Sequence, residues 1–326
     1  MISFKPFKQQ HRPPKDSYYP RVAVVLGFYN GNKYLKEQVT SILEQRKVET
    51  HLFISDDCSP EHLDIDALDL KPDQQYRVYI GKQPDNKGFA KNFLLSATCI
   101  PPEFEYIAFS DQDDIWELDK LERAVSKMDA GDPKTPCLYC SQVTAFSTCE
   151  TDTPFTFPKF QVEPSFRHAL VQSIAPGCTM VLNQPAIELI KKAVFNVKSI
   201  PAHDWTCYQL VTGVGGQVFL DQVSKTRYRQ HENNQIGANR GLQSLHEKLN
   251  RLRNKKLRHW NKENIELISM ISEQLTHDNR KCFHHFTEAS NSLRLLALLH
   301  LFKSKVYRAT RLDTFALYIA ALLGRA

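Results

Sequence analysis

The sequence predicts an α/β fold with a mostly parallel central sheet, followed by a C-terminal helical appendage. Three observations carry this. Short, largely β-branched apolar runs alternate with segments of helical apolar spacing. Polar and acidic residues recur directly after those runs. From about residue 241 onward the sequence reads as helix after helix.

In chain order, residues 1–20 are polar and Pro-rich and are expected to form a loose leader. Arg21-Val22-Ala23-Val24-Val25-Leu26-Gly27-Phe28-Tyr29 then reads as a buried parallel strand that meets a turn at Asn30-Gly31. Tyr34, Leu35, Val39, Ile42 and Leu43 recur at near-helical spacing. Thr50-His51-Leu52-Phe53-Ile54-Ser55 is a second strand, ending in Asp56-Asp57. Strand, helix, strand implies a right-handed crossover. Tyr76 to Ile80 continues the pattern as a strand, Gly88 to Thr98 as a helix, and Tyr106-Ile107-Ala108-Phe109-Ser110 as a strand ending in Asp111-Gln112-Asp113-Asp114. In open α/β sheets ligands bind beyond the carboxyl ends of the strands, so these three strand ends should converge on one crevice. The catalytic unit is expected over 21–240. Amphipathic helices are expected around Leu245 to Leu257, Ile265 to Leu275 and Leu293 to Leu323.

Composition narrows the classes. With 42% hydrophobic and 24% charged residues among 326, the chain is globular rather than disordered. Its net charge of +6 conceals an asymmetry: 16 Lys and Arg against 7 Asp and Glu from Arg240 onward, and 26 against 29 before it. Such a basic segment could face nucleic acid, anionic lipid or solvent, and charge alone does not choose among them. The eight cysteines are scattered, and no apolar signal sequence follows the N-terminal basic residues, which points to reduced thiols and a cytoplasmic protein. Cys137-Leu138-Tyr139-Cys140 has zinc-ligand spacing but no second pair to close a tetrahedral site, so it reads as a buried strand. The longest apolar run, Phe315 to Leu323, is about half of the roughly 18 residues that span a bilayer.

The cluster Ser110-Asp111-Gln112-Asp113-Asp114-Ile115-Trp116 places several carboxylates beside a buried strand. Like charges so close repel, and a divalent cation bridging carboxylate and phosphate oxygens would relieve the repulsion; hard oxygen ligands suit Mg2+ or Mn2+. An isolated Asp-x-Asp is equally a solvated turn or a helix cap. The cluster has company, however: Tyr29-Asn30-Gly31, Asp56-Asp57-Cys58-Ser59, Asn86-Lys87-Gly88-Phe89-Ala90-Lys91-Asn92, Lys120, Pro176-Gly177-Cys178-Thr179-Met180, His203-Asp204-Trp205, and Tyr228-Arg229-Gln230-His231 followed by Asn233 and Asn234. In this order, over roughly residues 21–240, the motifs resemble family 2 glycosyltransferases of the GT-A fold, nearest the bacterial rhamnosyltransferase-like enzymes.

The resemblance implies roles. Phe28, Tyr29 and Asn30 would surround the base and ribose, and Asp56 or Asp57 would accept the imide N–H of uracil or thymine, with Lys87 or Lys91 on the same side. Asp111 would lie near the ribose or metal, Asp113 would bind the cation, and His231 would complete its sphere or be a plain surface residue. Asp204 would take the proton of the acceptor hydroxyl, or cap the helix that follows it, or do both. Trp116, Gly177, Cys178, His203 and Trp205 would shape the acceptor side, Trp205 by stacking on a sugar or by filling the crevice wall. Many relatives have Gly where this chain has Cys58, a second aromatic where it has Thr206, and Gly where it has Glu232, which puts the sugar transferred in doubt.

The implied activity is metal-dependent, inverting transfer of a sugar from a UDP- or dTDP-linked donor, rhamnose being one candidate, to a hydroxyl of a saccharide acceptor in cell-surface polysaccharide synthesis. The acceptor could be lipid-linked. The basic tail would then meet an anionic membrane surface at the inner face of the cytoplasmic membrane, or pack on the catalytic domain or another subunit. No nucleic-acid partner is expected. Three alternatives read less well. A nucleotidyltransferase or pyrophosphorylase would place a Gly-rich basic loop after the first strand, where this chain has Tyr29-Asn30-Gly31. A dinucleotide-binding oxidoreductase would show G-x-G-x-x-G after a strand, which this chain lacks. A nucleic-acid- or membrane-binding protein with an inactive domain would not need Asp111, Asp113 and Asp204 together.

Overall fold

Strand β2 (Arg21–Phe28) runs through the middle of the molecule, and its side chains alternate between two cores. Ala23 and Val25 enter one, while Val22, Val24, Leu26 and Phe28 enter the other. A run buried on both faces needs neighbours on both edges and cover on both sides, and the topology supplies them. The computed structural model describes residues 2–8, 19–147, 154–156, 161–195, 197–230 and 256–323.

Around β2 lie β1 (Lys5–Pro6), β3 (Glu49–Asp56), β4 (Val78–Lys82), β5 (Tyr106–Ser110), β7 (Cys137–Ser141), β10 (Val181–Asn183) and β11 (Gln217–Asp221), in the order β1-β4-β3-β2-β5-β10-β7-β11. Pairings β4–β3, β3–β2, β2–β5 and β7–β11 are parallel. The short β10 runs antiparallel to both β5 and β7, and β1 antiparallel to β4. A second sheet is built from β6 (Ile115–Trp116), β8 (Thr144–Ser147), β9 (Phe155–Thr156) and β12 (Thr226–Gln230), in the order β6-β12-β8-β9.

Helices α1 (Asn32–Leu43), α2 (Pro72–Gln75), α3 (Phe89–Thr98), α4 (Lys120–Met128), α5 (Phe166–Ala169), α6 (Gln184–Val194) and α7 (His203–Gly213) cover the two faces. Helix α1 presents Leu35, Val39, Ile42 and Leu43 to the core that contains Val24, as their spacing predicts. On the other face, α3, α6 and α7 contribute Phe93, Ile190 and Leu210. The C-terminal helices are α8 (Lys256–Ser269), α9 (His277–Asn291), α10 (Arg294–Ser304) and α11 (Arg311–Leu322).

Two expectations change. Residues 2–8 are not a loose leader: Ile2 is buried, Phe4 packs edge-on against Phe53 at 5.3 Å, and β1 pairs with β4. The C-terminal helices follow the sheet as expected, but they are packed on it rather than apart from it, because Leu267, Ile271, Phe283, Leu301 and Leu317 join the same core as Val25. Asn279 reinforces the junction by donating to the carbonyls of Thr212 and Gly213, at 3.0 and 2.9 Å, at the end of α7. The expected helix from Leu245 to Leu257 lies almost wholly outside the described residues.

Strand alternation also settles the cysteine pair: Cys137 faces one core and Cys140 the other, so the two thiols cannot converge on one ion. Cys58, Cys99, Cys137, Cys140, Cys178, Cys207 and Cys282 are all free. No helix among the described residues is long and apolar enough to cross a membrane.

Candidate active site

The strand order creates the crevice. From β2 the chain moves outward through β3 and β4, then returns to add β5 on the opposite edge of β2, so the direction of winding reverses between β2 and β5. At such a reversal the loops beyond the two strand ends diverge and leave a cleft. Leu26 pairs with Ser110, so Tyr29 and Asn30 run out beside Asp111 and Gln112.

Gln112 clasps the two loops together. Its Oε1 accepts from the Tyr29 amide at 2.8 Å and its Nε2 donates to the Tyr29 carbonyl at 3.2 Å. Gly31 makes room for that clasp, since a Cβ there would lie 2.1 Å from Gln112 Cδ.

Four carboxylates meet here. Burial lifts Asp111 to about 7, helped by repulsion from Asp113 and Asp204 and opposed by Lys120. Asp114, fully buried, is held well above the usual carboxylate range by burial, then by Asp111 and Asp113; its Oδ1 accepts from the Arg229 amide at 3.2 Å. Asp204 is raised by burial to about 6, while its Oδ1 accepts the Trp205 amide at 2.7 Å in the first turn of α7. Beneath them lies the wholly buried Lys120, lowered by burial to about 7. Its ammonium donates to the Cys178 carbonyl at 2.7 Å and sits 3.1 Å from the centre of the Trp116 ring.

The donor set can be tested for a divalent cation. Asp111, Asp114 and Cys178 each bring one ligand atom within 4.8 Å of the others. Burial pushes the Cys178 thiol well up, however, and a neutral sulfur is a poor partner for Mg2+ or Mn2+. Asp114 is enclosed and already engaged by Arg229. Asp111 and Asp113 are hard oxygen donors, keep contact with solvent and repel one another, so they fit a hard cation and Cys178 does not.

The other expected residues divide into two groups. Tyr29 is exposed at the crevice, and Asn30, in the left-handed region at φ 47°, takes the Ser59 hydroxyl on its Oδ1 at 2.8 Å. Asp56 accepts from the Ser59 amide at 2.7 Å and pairs with Lys82 at 3.3 Å. Asp57, raised by burial, accepts from the Lys87 amide at 2.7 Å and so fixes the loop before α3. Lys87 pairs with Asp85, and Lys91 donates to the Lys198 carbonyl at 3.2 Å. Cys58 stands at φ 58°, a left-handed conformation that Gly adopts more readily than Cys.

The second group needs correction, because its side chains pack into the interior; Asp56 and Asp57 of the first group are buried as well, but they are held by the amides of Ser59 and Lys87 in the loops beyond the strand ends. Phe28 belongs to the core beside Leu26. Trp116 is buried as the platform under Lys120. Trp205 fills the interior, donating its Nε1 proton to the Ala169 carbonyl at 2.6 Å and meeting Trp260 edge-on. His203 is buried against Phe93 and Phe109 and is lowered to about 3 by burial. Cys178 is likewise buried. Gly177 is small for the predicted kind of reason, but what it admits is His203: a Cβ would lie 2.4 Å from His203 Nε2 and 3.5 Å from Asp204 Cβ. His231 lies outside the described residues, as do Glu232, Asn233 and Asn234.

One residue whose role sequence reasoning missed is Arg229. Besides its amide bond to Asp114, its Nε donates to the Asp113 carbonyl at 2.7 Å, and its guanidinium pairs with Glu37. The guanidinium carbon lies 4.4 Å from the Tyr34 ring centre and 4.7 Å from that of Phe146. It clamps the Asp113–Asp114 turn from the second sheet. The available signal was its place one residue after Tyr228 in a recognised motif, which gave no partner.

Comparison with known proteins agrees with this geometry. Residues 23–186 match the profile of Glycosyl transferase family 2. The chain belongs to that family and is a glycosyltransferase. It is 32% identical over 251 residues to the dTDP-rhamnosyl transferase RfbG of Shigella flexneri, a match covering 74% of this chain and 82% of that one. A shorter similarity, 26% over 107 residues, covers 33% of this chain and 40% of the Escherichia coli UDP-Glc:alpha-D-GlcNAc-diphosphoundecaprenol beta-1,3-glucosyltransferase WfgD. Among solved structures, residues 1–349 of S. aureus TarS in complex with UDP-GlcNAc superimpose with a TM-score of 0.50 at 13% identity, over 83% of this chain and 88% of that one. The fold is of the GT-A type.

Proposed function

We propose that this glycosyltransferase is metal-dependent and inverting, and that it moves a sugar from a UDP- or dTDP-linked donor to a hydroxyl of a saccharide acceptor in cell-surface polysaccharide synthesis. The observation that carries the mechanism is the meeting of Asp204 with Asp111 in one half-buried cluster, at the point where the sheet reverses its winding. The similarity to RfbG favours a dTDP-linked donor with rhamnose as its sugar. The name of the WfgD relative supports an acceptor carried on a lipid diphosphate.

In this reading Tyr29 packs against the base, Asn30 faces the ribose, and Asp56 or Asp57 receives the base's imide proton, with Lys87 or Lys91 beside them. Asp111 and Asp113 would hold Mg2+ or Mn2+, with His231 as a further candidate ligand. When bound, the cation neutralises charge growing on the departing nucleoside diphosphate. Asp204, ionised above pH about 6, removes the acceptor hydroxyl proton as that oxygen attacks the anomeric carbon from the face opposite the nucleotide. The bond from the anomeric carbon to the diphosphate oxygen breaks, and the electron pair leaves with the diphosphate. Lys120, where it is protonated, places positive charge beneath the carboxylates, and Arg229 holds their turn in place.

A thermal-shift panel of nucleoside diphosphates and nucleotide sugars tests the donor, because a ligand that binds only the folded state raises its midpoint by mass action. The expected result is stabilisation by dTDP- or UDP-linked species that requires Mn2+ or Mg2+. Equal stabilisation in the presence of a chelator would reject the metal.

A further inference from the structure

We infer that the outer face of helices α10 and α11 docks on an anionic membrane surface. Each helix is buried along one side only. Ala297, Leu301 and Ser304 of α10, and Leu317, Ala320 and Ala321 of α11, face the protein. The opposite side is not polar, as it would be on an ordinary surface helix. On α10 it carries Leu295, Leu296, Leu299 and Phe302, and on α11 Leu312, Phe315, Ile319 and Leu322, with Leu323 just beyond its end, all exposed; Leu295 is 73% and Leu312 81% accessible.

At 3.6 residues per turn, each set falls within one stripe of its helix. Phe302 and Tyr318 stack at 4.6 Å between ring centres and join the two stripes. Leu293, 83% exposed, extends the patch beyond the start of α10. A continuous apolar surface of this kind on a soluble domain marks an interaction site.

Charge selects the occupant. Between residues 294 and 323 the exposed basic residues are Arg294, Lys303, Lys305 and Arg311, with Arg308 partly enclosed, against Asp313 as the one acidic residue. A second copy placed on this face by two-fold symmetry would bring one basic rim against another. Anionic headgroups complement the rim while acyl chains receive the leucines and phenylalanines. Neither helix is long enough to span a bilayer, so both lie in its plane. This inference stands independently of the sugar, the metal and the base, because vesicle binding requires no catalysis.

Co-flotation of the full chain with vesicles tests it. Wild type is expected to float with phosphatidylglycerol–phosphatidylcholine vesicles and not with pure phosphatidylcholine, with binding weakened by salt. The pair Leu295→Glu and Phe315→Glu should lose binding at least about tenfold at an unchanged thermal midpoint. The milder pair Lys303→Gln and Arg311→Gln, which leaves the apolar face intact, should lose on the order of twentyfold at low salt, roughly fivefold per charge. If the glutamate variant fails to fold, the glutamine variant decides. Absence of wild-type binding to anionic vesicles, or binding by the glutamine variant equal to wild type, overturns the inference. So does a concentration-dependent dimer, seen by light scattering and broken by the same substitutions, in a protein that ignores vesicles.

Discussion

Strands β2 and β3 and helices α10 and α11 all carry apolar stretches, yet they treat water in opposite ways. Val22 to Leu26 and Leu52 to Ile54 are wholly enclosed, whereas Leu295, Leu312 and Phe315 stand mostly in solvent. The lesson is that apolar sequence reports a need for burial, and only the tertiary arrangement shows whether the chain itself meets it. Where the need is met, the strands become a rigid frame for a cluster of like charges. Where it is not, the surface is available to something outside the chain.

The sharpest way to break this comparison is a matched truncation. Ile54→Ala should cost about 2–5 kcal/mol of stability, since it removes packed methyl groups and leaves a cavity. Leu295→Ala should fall within about 0.5 kcal/mol, because little packing is lost at an exposed position. Denaturant melts of the two variants decide it, and comparable losses would mean that the α10 face is covered in the free protein.

At the crevice, Asp113→Ala should weaken Mn2+-dependent binding of the nucleoside diphosphate by about 100-fold. Calorimetry showing unchanged affinity would remove Asp113 from the metal site and leave Asp111 to be tested alone.

A further effect depends on pH. Burial lowers His203 to about 3, so the folded chain takes up fewer protons there than the unfolded chain, whose histidine titrates near 6.5. The stability it contributes is therefore complete above pH about 6.5 and is lost as the pH falls toward 3. His51 and His168, lowered by burial to about 4, act in the same direction, while the raised carboxyls of Asp111 and Asp204 act in the opposite one. His203→Phe should therefore hold its midpoint better than wild type between pH 7.5 and 5, by about 2 kcal/mol. Identical pH profiles would mean that His203 is not buried as a neutral ring. Smaller still is the expected effect of Gly31→Ala, which pushes Gln112 off the Tyr29 backbone and should weaken nucleotide binding by about tenfold, or roughly 1.4 kcal/mol.

What the sequence disclosed follows the same division. β2, β3 and β5 each carry a short apolar run closed by polar residues, and their order alone predicted strand ends that meet beside Asp56 and Asp111. Asp204 was legible through its motif. The three-residue β10 and the two-residue β6 and β9 carry no period long enough to read, so the antiparallel insertion and the second sheet stayed hidden.

Trp116 and Trp205 were assigned to the crevice because an indole serves equally well on a sugar or in a core, and only the neighbours Lys120 and Ala169 decide between them. The stretch from Leu293 to Leu323 read as one amphipathic region, but the chain breaks it at Lys305, in the left-handed conformation at φ 55°. No Gly or Pro marks that break.

Asp204 is the point on which the mechanism turns. In steady-state assays Asp204→Asn should lower kcat by about 10²–10⁴-fold while metal-dependent binding of the nucleoside diphosphate stays within about twofold of wild type. The wild-type rate should rise with pH through about 6 as this carboxyl ionises. An Asp204→Asn enzyme that transfers sugar at the wild-type rate would contradict the assignment of Asp204 as the base.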